Sequence, residues 1–314
     1  TFNSISRSNG QNVDSMHFQT TSDKKYIYNG ILMKNLTQLN FDLYSNKGTN
    51  NNKNTYKFFP QVGIDFSYPL LSHTKDSALL LKPRVQFFFS PDDFKNDIIR
   101  NEDSLDVDLS SSNIFDINRY SGLDRIESGI RVNYGLSLKK NINNGNSFSG
   151  VLGRVYNNNK QQLFNVDSGL EKKNSEIVGD LAFKHKIYQL KYDYRVGENL
   201  ELNRNSIEAV TGLNSFNINL SYIQLRNFAS SKNNDTEQVS YGFSKKIFNN
   251  WQFRGSQLRD LAGANYSTPI RSDLGIIFSN DCALLQIAYV RDKSYDIDIP
   301  TVTNLSFTIK LFGF

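Results

Sequence analysis

The chain has 314 residues, with 36 lysine and arginine residues against 31 aspartate and glutamate residues, so its formal net charge is only +5. No dense run of basic residues accompanies this small excess, which argues against nucleic-acid binding. The mean hydropathy is −0.49, and no apolar stretch approaches the roughly 20 residues of a membrane-spanning helix. These values are compatible with a membrane β-barrel, because half of each barrel strand faces a polar lumen.

Short segments with alternating polar and apolar side chains recur along the chain, and in a strand such side chains point to opposite faces. The clearest is 188–196, and helical spacing is absent over any useful length. In chain order the predicted strands are 14–21, 25–33, 35–44, 56–68, 78–89, 126–139, 147–156, 175–184, 187–196, 201–211, 214–225, 236–247, 250–259, 268–279, 282–293 and 302–313. We predict an all-β fold, a transmembrane antiparallel β-barrel with about 16 strands in this sequence.

Nearly all the long predicted connections fall at the same end of the predicted strands. Outer-membrane barrels have short periplasmic turns and long external loops, whereas a soluble β-sandwich has no reason to sort its connections in this way. Counted back from the last strand, the short, periplasmic connections are 280–281, 248–249, 212–213, 185–186, 140–146 and 69–77. The long, external connections are 294–301, 260–267, 226–235, 197–200, 157–174, 90–125 and 45–55.

The sequence offers little support for catalysis. Its three histidines, His17, His73 and His185, are far apart, and a turn or surface role is expected for them. No nucleophile elbow, phosphate-binding loop or zinc-ligand spacing is present. We therefore predict that the protein is not an enzyme and holds no cofactor or metal ion.

The segment 113–136 concentrates Asp, Arg, Glu and Gly residues at the end of the longest predicted connection. Long connections without secondary structure are usually functional or disordered, but the aromatic residues and paired charges favour order here. We expect Asp124, Arg125 and Glu127 to form ion pairs that fix this connection against the barrel wall. Direct contact with a substrate is the alternative.

Cys282 is the only cysteine, so it cannot form a disulfide bond within this sequence. It is either a free thiol or has a partner elsewhere. The strand count places it at the periplasmic start of a strand.

Four stretches of the sequence, in the same order, resemble the family of LPS-assembly protein LptD, also called organic solvent tolerance protein. The most specific is 115–127 followed by 131–136, and 59–70, 168–179 and 281–291 are similar in a supporting way. The motif residues are Phe115, Asn118, Arg119, Gly122, Asp124, Arg125, Glu127, Arg131, Tyr134 and Gly135.

The resemblance implies that residues 1–314 are the C-terminal part of an outer-membrane barrel with more strands than are predicted here. Family members also carry an N-terminal periplasmic jelly-roll domain, which we expect to be absent from this sequence. Because the sequence starts at Thr1 without a signal peptide, we expect it to be a fragment of an exported protein.

The resemblance also implies a function, that of a lipopolysaccharide (LPS) translocon in the outer membrane of a Gram-negative bacterium. Members insert LPS into the outer leaflet through a lateral gate between the first and last barrel strands. The implied partners are LPS, an LptE-like plug lipoprotein, a periplasmic LptA-like bridge protein and membrane lipid. The gate residues on the last strand would be Asn304, Leu305, Ser306, Phe307, Thr308, Ile309 and Lys310.

For Cys282 the resemblance implies an interdomain disulfide bond, because family members join this region of the barrel to the N-terminal domain. The periplasm is oxidising and permits such a bond. Many members have two adjacent cysteines, whereas Ala283 follows Cys282 here, so at most one bridge is expected from this position.

Two other interpretations stay open. A general porin or a TonB-type receptor would share the alternating strands and the terminal Phe314, but it need not carry the 115–136 motif. A soluble all-β adhesin would lack the alternation of short and long connections.

Overall fold

The computed structural model describes residues 1–6, 12–47, 53–92, 101–105, 107–159, 164–213, 215–226, 235–262, 269–293 and 301–312. Phe314 and parts of the predicted long connections 45–55, 226–235, 260–267 and 294–301 lie outside these residues. The strands are β1 (Phe2–Ile5), β2 (Asn12–Tyr28), β3 (Ile31–Lys47), β4 (Lys53–Ser67), β5 (Leu70–His73), β6 (Ser77–Phe89), β7 (Ile130–Ile142), β8 (Ser147–Asn157), β9 (Ile177–Lys184), β10 (Tyr188–Val196), β11 (Leu202–Leu213), β12 (Phe216–Leu225), β13 (Thr236–Phe248), β14 (Trp251–Asp260), β15 (Pro269–Ser279), β16 (Ala283–Asp292) and β17 (Val302–Leu311).

The predicted fold class, an all-β antiparallel set of barrel strands, is confirmed. The described residues form 17 strands where about 16 were predicted, and every recorded strand register is antiparallel. The described part of the chain contains no helix with the length and apolarity that crossing a membrane requires.

The first predicted strands are wrong in their boundaries. In place of 14–21, 25–33 and 35–44, the chain forms the two long strands β2 and β3, paired from Asn12↔Lys47 to Tyr28↔Ile31. Asn29 and Gly30 join them with positive φ angles of 46° and 82°. An Asn-Gly pair with two positive φ angles is the preferred two-residue hairpin turn, and the predicted strand 25–33 runs through this turn.

Three smaller corrections concern β1, β5 and the start of β7. The short strands β1 and β5 were not predicted, and β5 occupies part of the predicted connection 69–77. The predicted strand 126–139 begins only at Ile130, because Gly129 has a φ of 84°, a conformation outside the strand region that suits glycine.

The chain divides into two compact units. Unit 1 comprises residues 1–74, 78–139 and 151–179, and unit 2 comprises residues 75–77, 140–150 and 180–314.

The strands of unit 1 have two chemically different faces. The register sets Phe18, Phe41 and Phe58 side by side, and all three are exposed. On the opposite face the register aligns His17, Asp42 and Lys57, which are all buried. We call the apolar, exposed face the outer face and the polar, buried face the inner face.

Unit 2 is an antiparallel meander that contains β10–β17, each paired with its neighbour in sequence. Exposed apolar side chains again form rows across the strands, as in Ile276, Ile287 and Phe307. The short turns 249–250 and 280–282 alternate with longer connections. Because consecutive strands are antiparallel, the short turns of this unit lie at one end of its strands, as the sequence predicted.

Candidate functional site

The described part of the long connection between β6 and β7 packs on the inner face of unit 1. We call residues 101–129 the inner segment. Its described residues form no strand, yet Leu109, Ile114, Arg119, Asp124 and Glu127 are all buried. The expected order of this segment is therefore observed, and its long-range contacts explain it.

One part of the inner segment is held by apolar packing. Leu109, Ile114 and Tyr120 form a buried cluster with residues of β8, β9 and the connection between them. The rings of Tyr120 and Phe164 stack with their centroids 4.6 Å apart. The motif glycine Gly135 makes room for this packing, since a Cβ there would lie 3.2 Å from Cζ of Phe115 and still closer to the Leu152 carbonyl oxygen.

The centre of the site is a buried group of two arginines and one glutamate. Arg119 Nη1 lies 2.6 Å from Glu127 Oε2, and Arg131 pairs with the same carboxylate. The side chains of Arg119 and Glu127 are 0% and 2% exposed. Arg119 also donates hydrogen bonds to the Ile114 and Asn113 carbonyl oxygens, and Arg131 Nη2 donates to those of Asp116 and Ile117.

Burial and pairing change the ionisation of this group in opposite directions. Desolvation raises the pKa of Glu127, but the charges of Arg119 and Arg131 outweigh it and hold that pKa below its ordinary value. Desolvation lowers the pKa of Arg119 to about 10, against the attraction of Glu127. Glu127 is thus a carboxylate, and Arg119 still carries its charge at neutral pH.

Hydrogen bonds connect this group to the strands of the wall. Asn133 Oδ1 on β7 accepts from Arg119 (3.2 Å), and Asn133 Nδ2 donates to Gln86 Oε1 on β6 (3.1 Å). Gln86 in turn donates to Asp65 Oδ2 on β4 at 3.0 Å. Arg84 forks onto both oxygens of Asp65 and lies 4.2 Å from the ring centre of Phe115 in the inner segment.

A second polar group lies where the inner segment meets β2 and β3. Asp124 Oδ1 accepts a hydrogen bond from the Tyr44 hydroxyl at 3.0 Å, and His17 Nε2 lies 3.9 Å from the same oxygen. Asp124 Oδ2 accepts from the backbone N–H groups of Glu102 and Asp103. In return, the Asp103 carboxylate accepts from the backbone N–H groups of Leu123 and Asp124.

The two aspartates of this group differ in ionisation. Desolvation, with the nearby Asp103 charge, raises the pKa of Asp124. Desolvation also acts on Asp103, but its backbone hydrogen bonds prevail and lower its pKa. The ligand atoms of His17, Asp103 and Asp124 all lie within 4.8 Å of one another, which is close enough for the three side chains to hold one metal ion.

The structure brings most of the predicted motif residues together. Besides the residues above, Asn118 Oδ1 accepts from the Glu127 N–H, and Asn118 Nδ2 donates to the Arg125 carbonyl oxygen. Gly122 leaves no room for a side chain beside Asp103. Tyr134 is the exception, because it lies exposed on the outer face.

The predicted ion pairs of the inner segment are seen for Glu127, whose partners are Arg119 and Arg131. The contacts of Asp124 are instead with Tyr44, His17 and backbone amides. Sequence reasoning missed His17, which is buried rather than at a turn or surface, and also Tyr44, Asp103 and Asn133. The alternation around His17, Tyr44 and Asn133 in β2, β3 and β7 indicates which side chains share the inner face, but it does not indicate the partners that they contact there.

The other predicted site residues lie in unit 2. Residues 304–310 belong to β17, which pairs with β16 from Ala283↔Leu311 to Asp292↔Val302. Leu305, Phe307 and Ile309 are exposed on one face of β17. Cys282 is an exposed free thiol in the short turn before β16, where its N–H donates to Asn280 Oδ1.

Comparison with known families gives one match that covers most of the chain. The family described as LPS transport system D (LptD) matches residues 3–255. Curated relatives include the LPS-assembly protein LptD of Escherichia coli K12, 23% identical over 302 residues, which covers 83% of this chain and 36% of that protein. The LPS-assembly protein LptD of Idiomarina loihiensis is 26% identical over 223 residues, covering 69% of this chain and 29% of that protein. The chain thus spans about a third of the length of the curated relatives that it matches.

Solved structures with some likeness are outer-membrane porins and receptors. A mutant porin of Rh. blastica has a TM-score of 0.38 at 10% identity, covering 96% of this chain and 91% of the porin. A mutant of the ferric enterobactin receptor PfeA of Pseudomonas aeruginosa has a TM-score of 0.45 at 11% identity, covering 95% of this chain and 53% of the receptor. TM-scores this low support no argument about function.

Proposed function

This chain belongs to the LPS transport system D family, and from this premise we propose that it is part of an outer-membrane barrel that assembles LPS into the outer leaflet. The observation that supports the proposal is the combination of an apolar outer face with an inner face on which the family motif fixes a buried segment. We propose further that the protein acts by transport and has no catalytic step of its own.

The two faces match the two halves of the proposed cargo. LPS has a charged sugar head, which needs a polar path, and acyl chains, which need lipid. Beside the inner segment lies a cavity of about 350 Å³ lined by Lys82, Arg84, Phe115, Asp116 and other residues. Basic side chains at such a cavity can contact the anionic phosphates of LPS.

A barrel normally has no free strand edge, and lipid-exposed unpaired backbone groups are costly. A weakened seam between the terminal strands would give the acyl chains a lateral exit at a modest loss of hydrogen bonds. We propose that β17 forms one side of this seam. On β17 the side chains of Asn304, Ser306, Thr308 and Lys310 would face the lumen, whereas those of Leu305, Phe307 and Ile309 would face lipid.

The proposed partners follow from the same premise. We propose that the full-length protein receives LPS from an LptA-like periplasmic bridge protein and that an LptE-like lipoprotein occupies part of its lumen. We also propose that Cys282 forms a disulfide bond with a cysteine of the same protein outside this sequence. Its exposure in a short turn makes the thiol accessible to such a partner.

The test of LPS assembly uses the full-length protein in a strain depleted of its own copy. Wild-type protein is expected to restore LPS at the cell surface, measured by binding of an LPS-specific antibody to intact cells. Normal growth without restored surface LPS, as expected of a porin or a receptor, would overturn the proposal.

The lateral gate has a separate test. A photo-crosslinking amino acid at Thr308 is expected to capture LPS in living cells. The matched control places it at Asn219, in the middle of β12 and on the face opposite the exposed Leu220. Equal capture at both positions, or capture at neither while surface LPS is restored, would contradict the gate but not LPS assembly.

For Cys282, full-length protein run without reductant is expected to show a mobility that changes on reduction. The variant Cys282→Ser should lose that difference or show an altered pattern of bridges. Identical patterns for the wild type and the variant would mean that Cys282 is a free thiol.

A further inference from the structure

Three potential metal ligands from distant parts of the sequence converge in unit 1. His17 comes from β2, and Asp103 and Asp124 come from the inner segment, with all their ligand atoms within 4.8 Å of one another. We propose that these three side chains bind one divalent transition-metal ion, such as Zn²⁺ or Mn²⁺, which joins β2 to the inner segment. No metal-ligand spacing is visible along the sequence, because the three residues are brought together only by the fold.

The histidine is oriented as metal-binding histidines are. His17 Nδ1 lies 3.0 Å from Asp42 Oδ1, so a neutral imidazole that donates there has its lone pair on Nε2. Nε2 faces Asp124 Oδ1 at 3.9 Å. Metal-ligating histidines almost always donate their other N–H group to a carboxylate or a carbonyl oxygen, which fixes the tautomer and the ring. Ser15 Oγ, 3.0 Å from Nε2, can donate to this nitrogen when no ion is bound.

The negative charges around His17 also favour the binding of a cation. The carboxylates of Asp42, Asp103 and Asp124 surround this ring, and Asp42 is only 2% exposed. Asp42 Oδ2 is buried without a hydrogen-bond partner among the described residues. Buried charges are normally paired or coordinate metals. Lys57 supplies one positive charge at this place, since its Nζ contacts the Asp124 carbonyl oxygen at 3.4 Å, and a divalent ion would add two more.

The donor set and the distances select the class of ion. One imidazole nitrogen and two carboxylate oxygens suit first-row ions such as Zn²⁺ or Mn²⁺ better than Ca²⁺, which prefers six to eight oxygen ligands. Two ligands of one tetrahedral ion with bonds of about 2.0–2.2 Å lie roughly 3.4 Å apart. The 3.9 Å between His17 Nε2 and Asp124 Oδ1 must therefore shorten by about half an ångström when the ion binds, and the other pairs, which lie within 4.8 Å, by up to about 1.4 Å. A cavity of about 400 Å³ lined by Ser15, Asp103, Asp124 and residues of β1 gives room for water ligands and for entry.

The first test needs no variant. Full-length wild-type protein is dialysed against Zn²⁺ or Mn²⁺, desalted and analysed by mass spectrometry for metal content, and about one ion per chain is expected. Removal of the ion with a chelator is expected to lower the thermal unfolding temperature, and the same ion should restore it. Wild-type protein that retains no ion and does not respond to the chelator would overturn the proposal.

Variants then assign the ligands. His17→Gln and Asp103→Asn are expected to lose the ion, and Asp42→Asn, which only orients His17, should weaken binding by about 10- to 100-fold. The matched control is Asp23→Asn, an exposed carboxylate on the same strand, which should bind as the wild type does. Equal metal content in the wild type, His17→Gln and Asp103→Asn would show that the ion binds elsewhere.

Discussion

Glu127 is the residue on which the candidate site depends most. Its carboxylate is shared by Arg119 and Arg131, and it also accepts a hydrogen bond from the backbone N–H of Arg119. All three side chains are at most 3% exposed. A buried charge whose partner is removed is much more costly than an exposed one, because water cannot replace the lost partner.

We therefore expect Glu127→Gln to lower the free energy of unfolding by roughly 3 kcal/mol. Gln keeps the size of the side chain but leaves two buried guanidinium groups without a counter-charge. The measurement is denaturant unfolding of the full-length protein in detergent. Asp23→Asn is the control, since the Asp23–Lys34 pair is exposed, and it should cost less than about 1 kcal/mol. Equal effects of the two substitutions would contradict a special role for Glu127.

The lowered pKa of Glu127 predicts a specific response to acid. A carboxyl group whose pKa is lower in the folded state stabilises the fold above its unfolded pKa, and this stabilisation is lost as the pH falls through the folded pKa. The unfolded value is near 4.5. The stability difference between the wild type and Glu127→Gln should thus be constant at neutral pH and shrink below about pH 4.5. Unfolding curves from pH 7 downward measure it, and a difference that grows on acidification would contradict the assignment.

At the scale of elements, the hydrophobic alternation predicts most strands to within a few residues because one face is apolar along most of their length. It fails at β2–β3, where polar residues interrupt the pattern before the turn is reached. The turn chemistry of Asn29 and Gly30 decides the hairpin instead, and it sets a register of paired residues from Tyr28↔Ile31 to Asn12↔Lys47.

Gly30→Ala tests this hairpin. A side chain at a φ of 82° is strained, and its Cβ would lie 3.0 Å from Cε2 of Tyr68. We expect a loss of about 1–2 kcal/mol in the free energy of unfolding. Gly275→Ala on β15 is the control, because its φ is not positive and the nearest atom to a Cβ there is on the flexible Arg254 side chain. If both variants unfold alike, the turn does not determine the hairpin.

The inner segment shows what a sequence pattern cannot predict. The spacing of Arg119, Glu127 and Arg131 indicates charges that could pair, and they do pair. The wall partners lie far away in sequence, as with Tyr44 and Asp124, which are 80 residues apart. Such contacts depend on strand register and on which residues share the inner face, so no local periodicity contains them.

At the scale of the whole molecule, both units expose apolar side chains in rows across several strands. In unit 2, Leu220 on β12 stands beside Tyr241 on β13, and both are exposed. Large exposed apolar surfaces on soluble proteins are rare and mark contact with another protein or a membrane. The alternation along most of the strands fits a wall with lipid on one side and a polar interior on the other.

A positive charge placed on one face of β12 and then on the other tests which face contacts lipid. Leu220→Arg puts a cation in the middle of β12 on the apolar face, where we expect a loss of about 2–4 kcal/mol for a protein folded in lipid vesicles. Asn219→Arg puts the same cation one residue away on the opposite face, which is also exposed, and it should cost little because that face is wet. The measurement is the free energy of unfolding of the full-length protein in vesicles, compared with detergent micelles. If the two substitutions cost the same, the apolar face of β12 does not contact lipid, and the membrane location proposed for this protein would be wrong.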